Sequence, residues 1–425
     1  MTIATDPPKD SFRLSMLLYD TRYRALTIQV VVLLLFMAGV AWLVDNTIQN
    51  LQTLGKDFSF GFLTNRAGYD INQRLIAYTN DSSHARAMLV GLLNTLLVSA
   101  MACAAATVIG IFVGVLRLSP NWLIARLMTV YVEMFRNIPV LLWILVAYAV
   151  FTEVTPQPRD FRLTPEMEAA GETPAASMLL FDSIAITNRG TSIPEPLFDR
   201  SLGNVSLGLF DVSLDLVALV AVIVAAVLAN RALLRQAARI QDATGRRPTT
   251  WWKSLLILVL PPVLLLVALG FHLGLPELAG FNFQGGILVS NSLMALWLGL
   301  TLYTAAFIAE AVRAGILAVS RGQTEAAYAL GLRPRRTMSL VILPQALRVI
   351  VPPLISQYLN ITKNSSLAIA VGYMDLRGTL GGITLNQTGR ELEAVLLMML
   401  IYLIISLVIS GVMNVYNNSV RLKER

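Results

Sequence analysis

Charge is scarce in these 425 residues: 14% are Asp, Glu, Lys or Arg, 56% are hydrophobic, and the mean hydropathy is +0.65. A soluble domain carries about 25% charged residues, so this composition excludes one. Cysteine is nearly absent, and the lone Cys103 excludes a disulfide framework or a multi-cysteine metal site. Histidine occurs twice, at His84 and His272, too sparsely to suggest a zinc enzyme. No G-x-x-x-x-G-K-[ST] loop is present, so the chain has no ATPase site of that type. No clustered nucleophile, base or metal set marks a catalytic centre either. A net charge of +7 would suggest nucleic acid in a soluble chain, but in a membrane chain it reads as basic loops on the cytoplasmic side.

What the sequence has instead is long apolar runs. Ala25–Val44, Ala87–Leu116, Ser254–Pro276, Leu278–Ala309 and Ala394–Val420 contain no Asp, Glu, Lys or Arg. Each can cross a hydrocarbon core that is about 30 Å thick, which needs roughly 20 residues of helix. Backbone groups in lipid must be satisfied within the segment, so the expected architecture is an all-α integral membrane protein. Eight spans are expected: Ala25–Val44, Met88–Leu116, Tyr131–Phe151, Leu209–Asn230, Trp252–His272, Ile287–Val312, Gln345–Ile369 and Val395–Tyr416. The fourth is the weakest, with Asp211 and Asp215 near its end. The first is too long for the apolar core of a cleavable signal and is expected to remain in the membrane.

Charge chooses the orientation. The segment Arg231–Lys253 holds six basic residues against Asp242, whereas Thr152–Val212 holds nine acids against Arg159, Arg162, Arg189 and Arg200. Between the sixth and seventh spans lie Arg313, Arg321, Arg333, Arg335 and Arg336 against Glu325. Together with the basic segment 1–24 and the tail Arg421–Arg425, these place both termini in the cytoplasm. The acidic outer loop, rich in Pro, Thr and Glu, carries no clear secondary-structure signal. Within the second span, Gly110 and Gly114 form a GxxxG pair, suited equally to packing inside the subunit and to a subunit interface.

The most informative loop runs from Gly322 through Gln323, Thr324, Glu325, Ala326 and Ala327 to Gly331 and Pro334. It predicts a very short helix with Thr324 as N-cap, Glu325 at the positive end of the dipole, and Gly331 at a left-handed stop. The alanines leave little bulk, so the helix could lie in a partner's groove or be an amphipathic turn at the membrane surface. Spacing separates these readings. From Glu325 the chain reads E-A-A-x3-G-x9-V-x-L-P, ending at Leu343 and Pro344. This resembles the E-A-A signature of permease subunits of bacterial ABC importers, with Val341 in place of the usual isoleucine. Further segments resemble the polar amino-acid branch, of histidine/glutamine type: YVEMFRNIP from Tyr131, AEAVRAG from Ala309, LPQALR from Leu343 and KNSSL from Lys363.

The resemblance implies a type I importer core over residues 88–151 and 287–417, interrupted by an insertion at 152–286 that brings two additional helices. Residues 1–24 would be a cytoplasmic segment and 25–44 a further added helix, a layout like the longer subunits of glutamate/glutamine/aspartate/asparagine or general L-amino-acid importers. It implies no cofactor in this chain. ATP and Mg would be bound by a dimer of separate ATPase subunits, coupled through residues 322–334, with Gln323, Thr324, Glu325, Ala326, Ala327, Gly331, Leu343 and Pro344 at the coupling site. A second homologous permease subunit, a periplasmic amino-acid-binding protein and the lipid bilayer complete the implied partners, in the bacterial inner membrane. An ion-coupled secondary transporter is the alternative, but it should show paired broken helices in two repeated halves, and no such repeat is visible.

Two sets of polar residues remain. Glu133 and Arg136, and Glu310 and Arg313, stand at i, i+3 near the inner ends of two spans. They form either self-contained surface pairs or a network joining the two helices. Lys363 follows Asn360 on an otherwise apolar helix after Pro352-Pro353, expected to free backbone carbonyls there, with Asn291, Tyr303 and Thr304 as companions along a substrate pathway. The ammonium could meet a substrate carboxylate, neutralise a glutamate on a neighbouring helix, or reach outward to the interface.

Overall fold

The computed structural model describes residues 21–53, 55, 57–163, 167, 169, 173–206 and 211–420. Most of segment 1–24, the Arg421–Arg425 tail and part of the acidic loop lie outside the described residues. The chain forms two compact units, residues 1–61 and 62–425. The first contains α1, Thr21–Thr53, an apolar helix long enough to span a membrane and longer than its uncharged run.

The second unit is organised around α7, Asn291–Leu317, whose Leu296, Leu300, Ala305, Ile308 and Ala309 are fully buried. Its main neighbour is α2, His84–Leu116, capped by Ser83, whose hydroxyl accepts from Arg86 N. Gly110 and Gly114 permit this contact. A Cβ on Gly110 would lie 2.6 Å from Ile308 Cβ, and one on Gly114 would lie 2.7 Å from the Ala309 carbonyl. The GxxxG pair therefore serves packing within the subunit. α7 uses two further glycines in the same way: Gly299 faces Ile144 of α4, Val140–Ala149, and Gly315 faces Ile350 of α9, Leu343–Asn364. In lipid, small residues are what let helix backbones approach this closely.

The single span predicted over Tyr131–Phe151 is two helices. α3, Trp122–Asn137, and α4, which extends through a π-helical turn to Val154, meet at 104°. Pro139 is the cause: it removes an amide donor and pushes Ile138 into extended backbone, φ −105° and ψ 134°. Phe135 and Trp143 stack across the bend at 4.1 Å, and the Tyr131 hydroxyl donates to the Leu302 carbonyl at 2.7 Å. The segment before α2 folds back on its N-terminal end, burying Ala67, Ile71 and Tyr78 against Ala87 and Val90. Gln73 joins that end to α7, accepting from Ser290 N with its side chain and from Asn94 with its carbonyl.

The insertion is more ordered than its composition suggests. It contains β1 Ala185–Thr187, β2 Gly190–Ile193, β3 Glu195–Phe198, β4 Asn204–Ser206 and β5 Asp211–Ser213 before the helices, and β6 Phe271–Gly274, β7 Glu277–Ala279, β8 Asn282–Gln284 and β9 Ile287–Val289 after them. The pairings are antiparallel: β1–β2–β9, β3–β6, β4–β5 and β7–β8. The sixth span therefore begins at Asn291 rather than Ile287, because Ile287–Val289 is strand, and the fifth ends before Phe271. Between the strands rise α5, Leu214–Thr244, and α6, Trp251–Ala268. The last helix, α10, covers Glu391–Val420. Seven helices among the described residues are long and apolar enough to cross a membrane, or eight if α3 and α4 count as one broken span.

Between α9 and α10 the chain keeps a buried carboxylate. Asp375 accepts from Gly378 N at 2.8 Å and from the Tyr402 hydroxyl at 3.3 Å, while Thr95 of α2 accepts from Leu376 N at 3.0 Å. Burial pushes the Asp375 carboxyl up to about 6, against the opposing pull of those hydrogen bonds.

The α2–α7 contact makes a direct prediction. Gly110→Leu should cost at least about 1–3 kcal/mol through overpacking, read as a lower Tm of the purified chain in detergent. Gly411→Ala, where a Cβ meets nothing within 4 Å, should leave Tm unchanged or slightly raised.

Candidate functional site

The short helix forms, but its start differs from expectation. α8 is Arg321–Ala329, and its N-cap is Ser320, in extended backbone with φ −62° and ψ 142°. Arg-Gly-Gln-Thr is compatible with helix, so the first turn extends back to the serine. Thr324 is therefore inside the helix and Glu325 near its middle, and neither caps it. The other end matches the reading. Gly331 has φ +76°, its N–H donates to the Tyr328 carbonyl at 2.9 Å, and Leu332 N donates to the Ala327 carbonyl at 3.1 Å. That pair of bonds is the Schellman stop, which needs the left-handed residue glycine supplies.

The faces of α8 are unequal. Ala327 is 3% exposed and turned into its own chain, so it is not available to a partner groove as expected. Gln323, Glu325, Ala326 and Gly331 are exposed, Thr324 partly so. Tyr328 and Leu330 are also exposed, Leu330 at 81%. These two bulky residues were missed by the motif reading; their signal was large side chains, with Leu332, among the small residues that fill most of the loop. After α8 the turn Pro334–Thr337 runs through a π turn, Met338–Ile342, into α9 at Leu343. The wide turn lies directly before Pro344, which has no N–H to donate. Gln345 of α9 ties back to the Val341 carbonyl at 3.0 Å and to Gln323 of α8 at 3.4 Å.

The charged residues near the end of α7 meet in one cluster centred on a residue not singled out from sequence. Arg117, just past the end of α2, pairs with Glu310 and lies 3.6 Å from Glu133. Glu310 also takes Arg313 through two bonds, the shorter 2.6 Å. The network thus joins α2, α3 and α7, and Glu133 faces Arg117 rather than Arg136. Arg136 instead lies over the Phe307 ring at 5.3 Å, a cation–π contact. The Arg117 and Glu310 side chains are 12% and 25% exposed, sheltered enough for the pair to matter, whereas Glu133 at 54% adds little. Arg117 could have been suspected as the first charge after a 30-residue run without Asp, Glu, Lys or Arg.

Among the described residues, no hydrogen bond joins the five residues expected along a pathway to one another. Asn291 is buried at the start of α7, where its amide donates to the carbonyls of Phe151, Thr187 and Asn188 at 2.9–3.3 Å. It fastens the β layer to the core. Thr304 is 2% exposed within the helix packing, and the Tyr303 and Phe307 rings meet at 5.0 Å with a tilt of 53°. Asn360 and Lys363 are exposed on one stripe of α9 with Ser356, and no ion pair to Lys363 forms among the described residues. Pro352-Pro353 does not free that region from helix either; the irregular backbone lies at Met338–Ile342 and Ser365–Val371.

Residues 223–422, which hold α7 through α9, match the family of binding-protein-dependent transport system inner membrane components. Over its full length the chain is 66% identical to the glutamate/glutamine/aspartate/asparagine transport system permease protein BztB of Rhodobacter capsulatus, covering 100% of both chains. The chain belongs to the permease subunits of amino-acid ABC transporters. The general L-amino acid transport system permease protein AapQ of Rhizobium johnstonii is 44% identical over 98% of this permease and 96% of that protein. A shorter relative, the glutamate/aspartate import permease protein GltJ of Escherichia coli, is 36% identical over only 35% of this permease and 60% of that protein. The long relatives thus align across the insertion as well. The permease is a multi-pass inner-membrane transport subunit, and the secondary-transporter alternative is set aside.

A charge swap identifies the decisive pair. Glu310→Arg should abolish uptake, and Arg117→Glu in the same chain should restore it in part, whereas Arg136→Glu should not. A double-mutant cycle on stability should give Arg117–Glu310 a coupling on the order of 1–3 kcal/mol. Rescue by Arg136→Glu instead would overturn the assignment.

Proposed function

We propose that this permease moves polar L-amino acids, namely glutamate, glutamine, aspartate and asparagine, into the cytoplasm as one of two homologous permease subunits. The observation that carries this is the end-to-end match to BztB, insertion included. A separate ATPase pair binds ATP and Mg and receives α8, and a periplasmic binding protein delivers the amino acid. Both termini are cytoplasmic, which follows from the basic residues around α8 and in the α5–α6 turn. Closure of the ATPase pair moves α8. The Gln323–Gln345 contact and the continuous backbone into α9 pass that movement to the core. The exposed Ser356, Asn360 and Lys363 stripe is too polar for lipid and faces the second permease, where Lys363 can meet a substrate carboxylate.

Leu330 tests the coupling role without disturbing the fold, because it is largely free of its own chain. Leu330→Asp should leave Tm unchanged, release the ATPase during purification and lower ATP-driven uptake at least tenfold. Gly331→Val should also release the ATPase and lower uptake, but with a lower Tm, since forcing valine into left-handed backbone costs about 1–2 kcal/mol. Reconstitution with a panel of amino acids should show competition among the four named substrates and none from a cationic amino acid. Retained ATPase and normal uptake in Leu330→Asp would remove α8 from the coupling role.

The outer loop offers a second contact. Leu180, Phe181 and Asp182 all have positive φ, 50–59°, an unfavourable backbone for such side chains, and Phe181 is 99% exposed. This tip is the contact for the binding protein. A Phe181→Cys chain should be labelled by an impermeant maleimide added outside the cytoplasmic membrane, and labelling should suppress binding-protein stimulation of the ATPase. Labelling only after permeabilisation would reverse the orientation.

A further inference from the structure

The α5–α6 hairpin is unequal in a way that creates a surface. Its outer ends are level, because both are tied to residues 200–202: Arg200 N donates to the Leu269 carbonyl at 3.0 Å and Leu202 N to the Asp215 carboxylate at 2.8 Å. From that common level α6 runs 18 residues and α5 runs 31. At 1.5 Å per residue, α5 overhangs the start of α6 by about 20 Å. The six residues Gly245–Thr250 return the chain to Trp251, beginning with a left-handed turn at Gly245, φ +71°.

The level of the membrane edge is marked. Trp251 and Trp252 open α6 and are exposed, at 71% and 49%, and Lys253 lies 5.4 Å from the Trp252 ring centre. Tryptophan is enriched where hydrocarbon meets headgroups. On α5 the residue level with Trp251 is Arg231; Arg235 and Arg239 follow at about 6 and 12 Å beyond it. These three arginines recur every fourth position, so they share one face. All three are exposed, as are Arg246 and Arg247 in the return, and none has an ion-pair partner among the described residues. Asp242 is the only acid in the segment. Beside the arginines, Leu233, Leu234 and Ile240 keep the overhang amphipathic. The two helices pack chiefly on each other, and their flanks, such as Val220 and Leu228 of α5 and Val259 and Leu264 of α6, remain exposed apolar surface.

We propose that this end of the hairpin is a binding site for anionic phospholipid headgroups. Arg231 and Arg235 take the phosphates, and Arg239, Arg246 and Arg247 supply the outer field. The headgroup zone is about 5–8 Å thick on each side of the hydrocarbon, so Arg231 and Arg235 lie within it and long guanidinium side chains cover the remaining distance. An acidic protein partner would also complement the charge. The tryptophan belt favours lipid, because it sets the basic stripe at headgroup depth.

The test uses the full permease with its copurifying partners, delipidated in detergent and offered equal amounts of phosphatidylglycerol and phosphatidylcholine. Native mass spectrometry reads the lipid retained. Wild type should keep phosphatidylglycerol in preference, and Arg231→Gln with Arg235→Gln should lower that preference at least about tenfold, at roughly fivefold per guanidinium near the surface. Arg231→Lys with Arg235→Lys should preserve it, and raised salt should weaken it. Unchanged Tm separates lost binding from lost fold. No preference in wild type, or the same preference in the glutamine variant, would overturn the proposal. So would loss of a partner protein from that variant with lipid retention intact.

Discussion

Everything in the core depends on how closely α2 can lie against α7. Gly110 and Gly114 bring backbone against backbone where any side chain would collide with Ile308, Ala309 or Val312. Bilayer lipid is as apolar as the helices, so burial gives little drive to associate, and close packing must supply it. α7 repeats the device toward α4 and α9 through Gly299 and Gly315. One central helix therefore collects its neighbours through its own small residues and those of α2.

The ionic cluster follows from that geometry. Bringing α2 against α7 sets Arg117 beside Glu310, with Arg313 completing the carboxylate's partners. A carboxylate on a membrane helix is tolerated when cations and packing enclose it. The cluster also reaches α3 through Glu133, on the near side of the bend imposed by Pro139. α8 emerges from the same end of α7 and returns through a π turn into α9, so the short helix is joined by its backbone to elements already clamped together.

The insertion is built by different means. Its strands pair across the two inserted helices, β3 with β6 and β2 with β9, so α5 and α6 rise from a layer that closes around their ends. Asn291, in the first turn of α7, donates to the Thr187 and Asn188 carbonyls of that layer and to the Phe151 carbonyl at the end of α4. The long relatives share this whole length, whereas the shorter permease matches only about a third of the chain.

Hydropathy by itself determined most of the membrane helices, because a run free of charge and long enough for the bilayer has no other stable form. The spacing from Glu325 to Pro344 likewise determined the family and the stop at Gly331, a local backbone requirement that a single residue states. What depended on distance in sequence had to wait for the fold. Arg117 finds Glu310 across 193 positions, and no periodicity links them. Asn291 reads in sequence as one polar residue opening an apolar helix, and only the fold sets the carbonyls of Phe151, Thr187 and Asn188 around its amide. Ala327 belongs to the motif yet faces inward, because which side of a nine-residue helix is buried is decided by what packs on it. The β layer was hidden for the same reason: strands of three or four residues carry no readable alternation, and only their partners, up to a hundred positions away, make them strands.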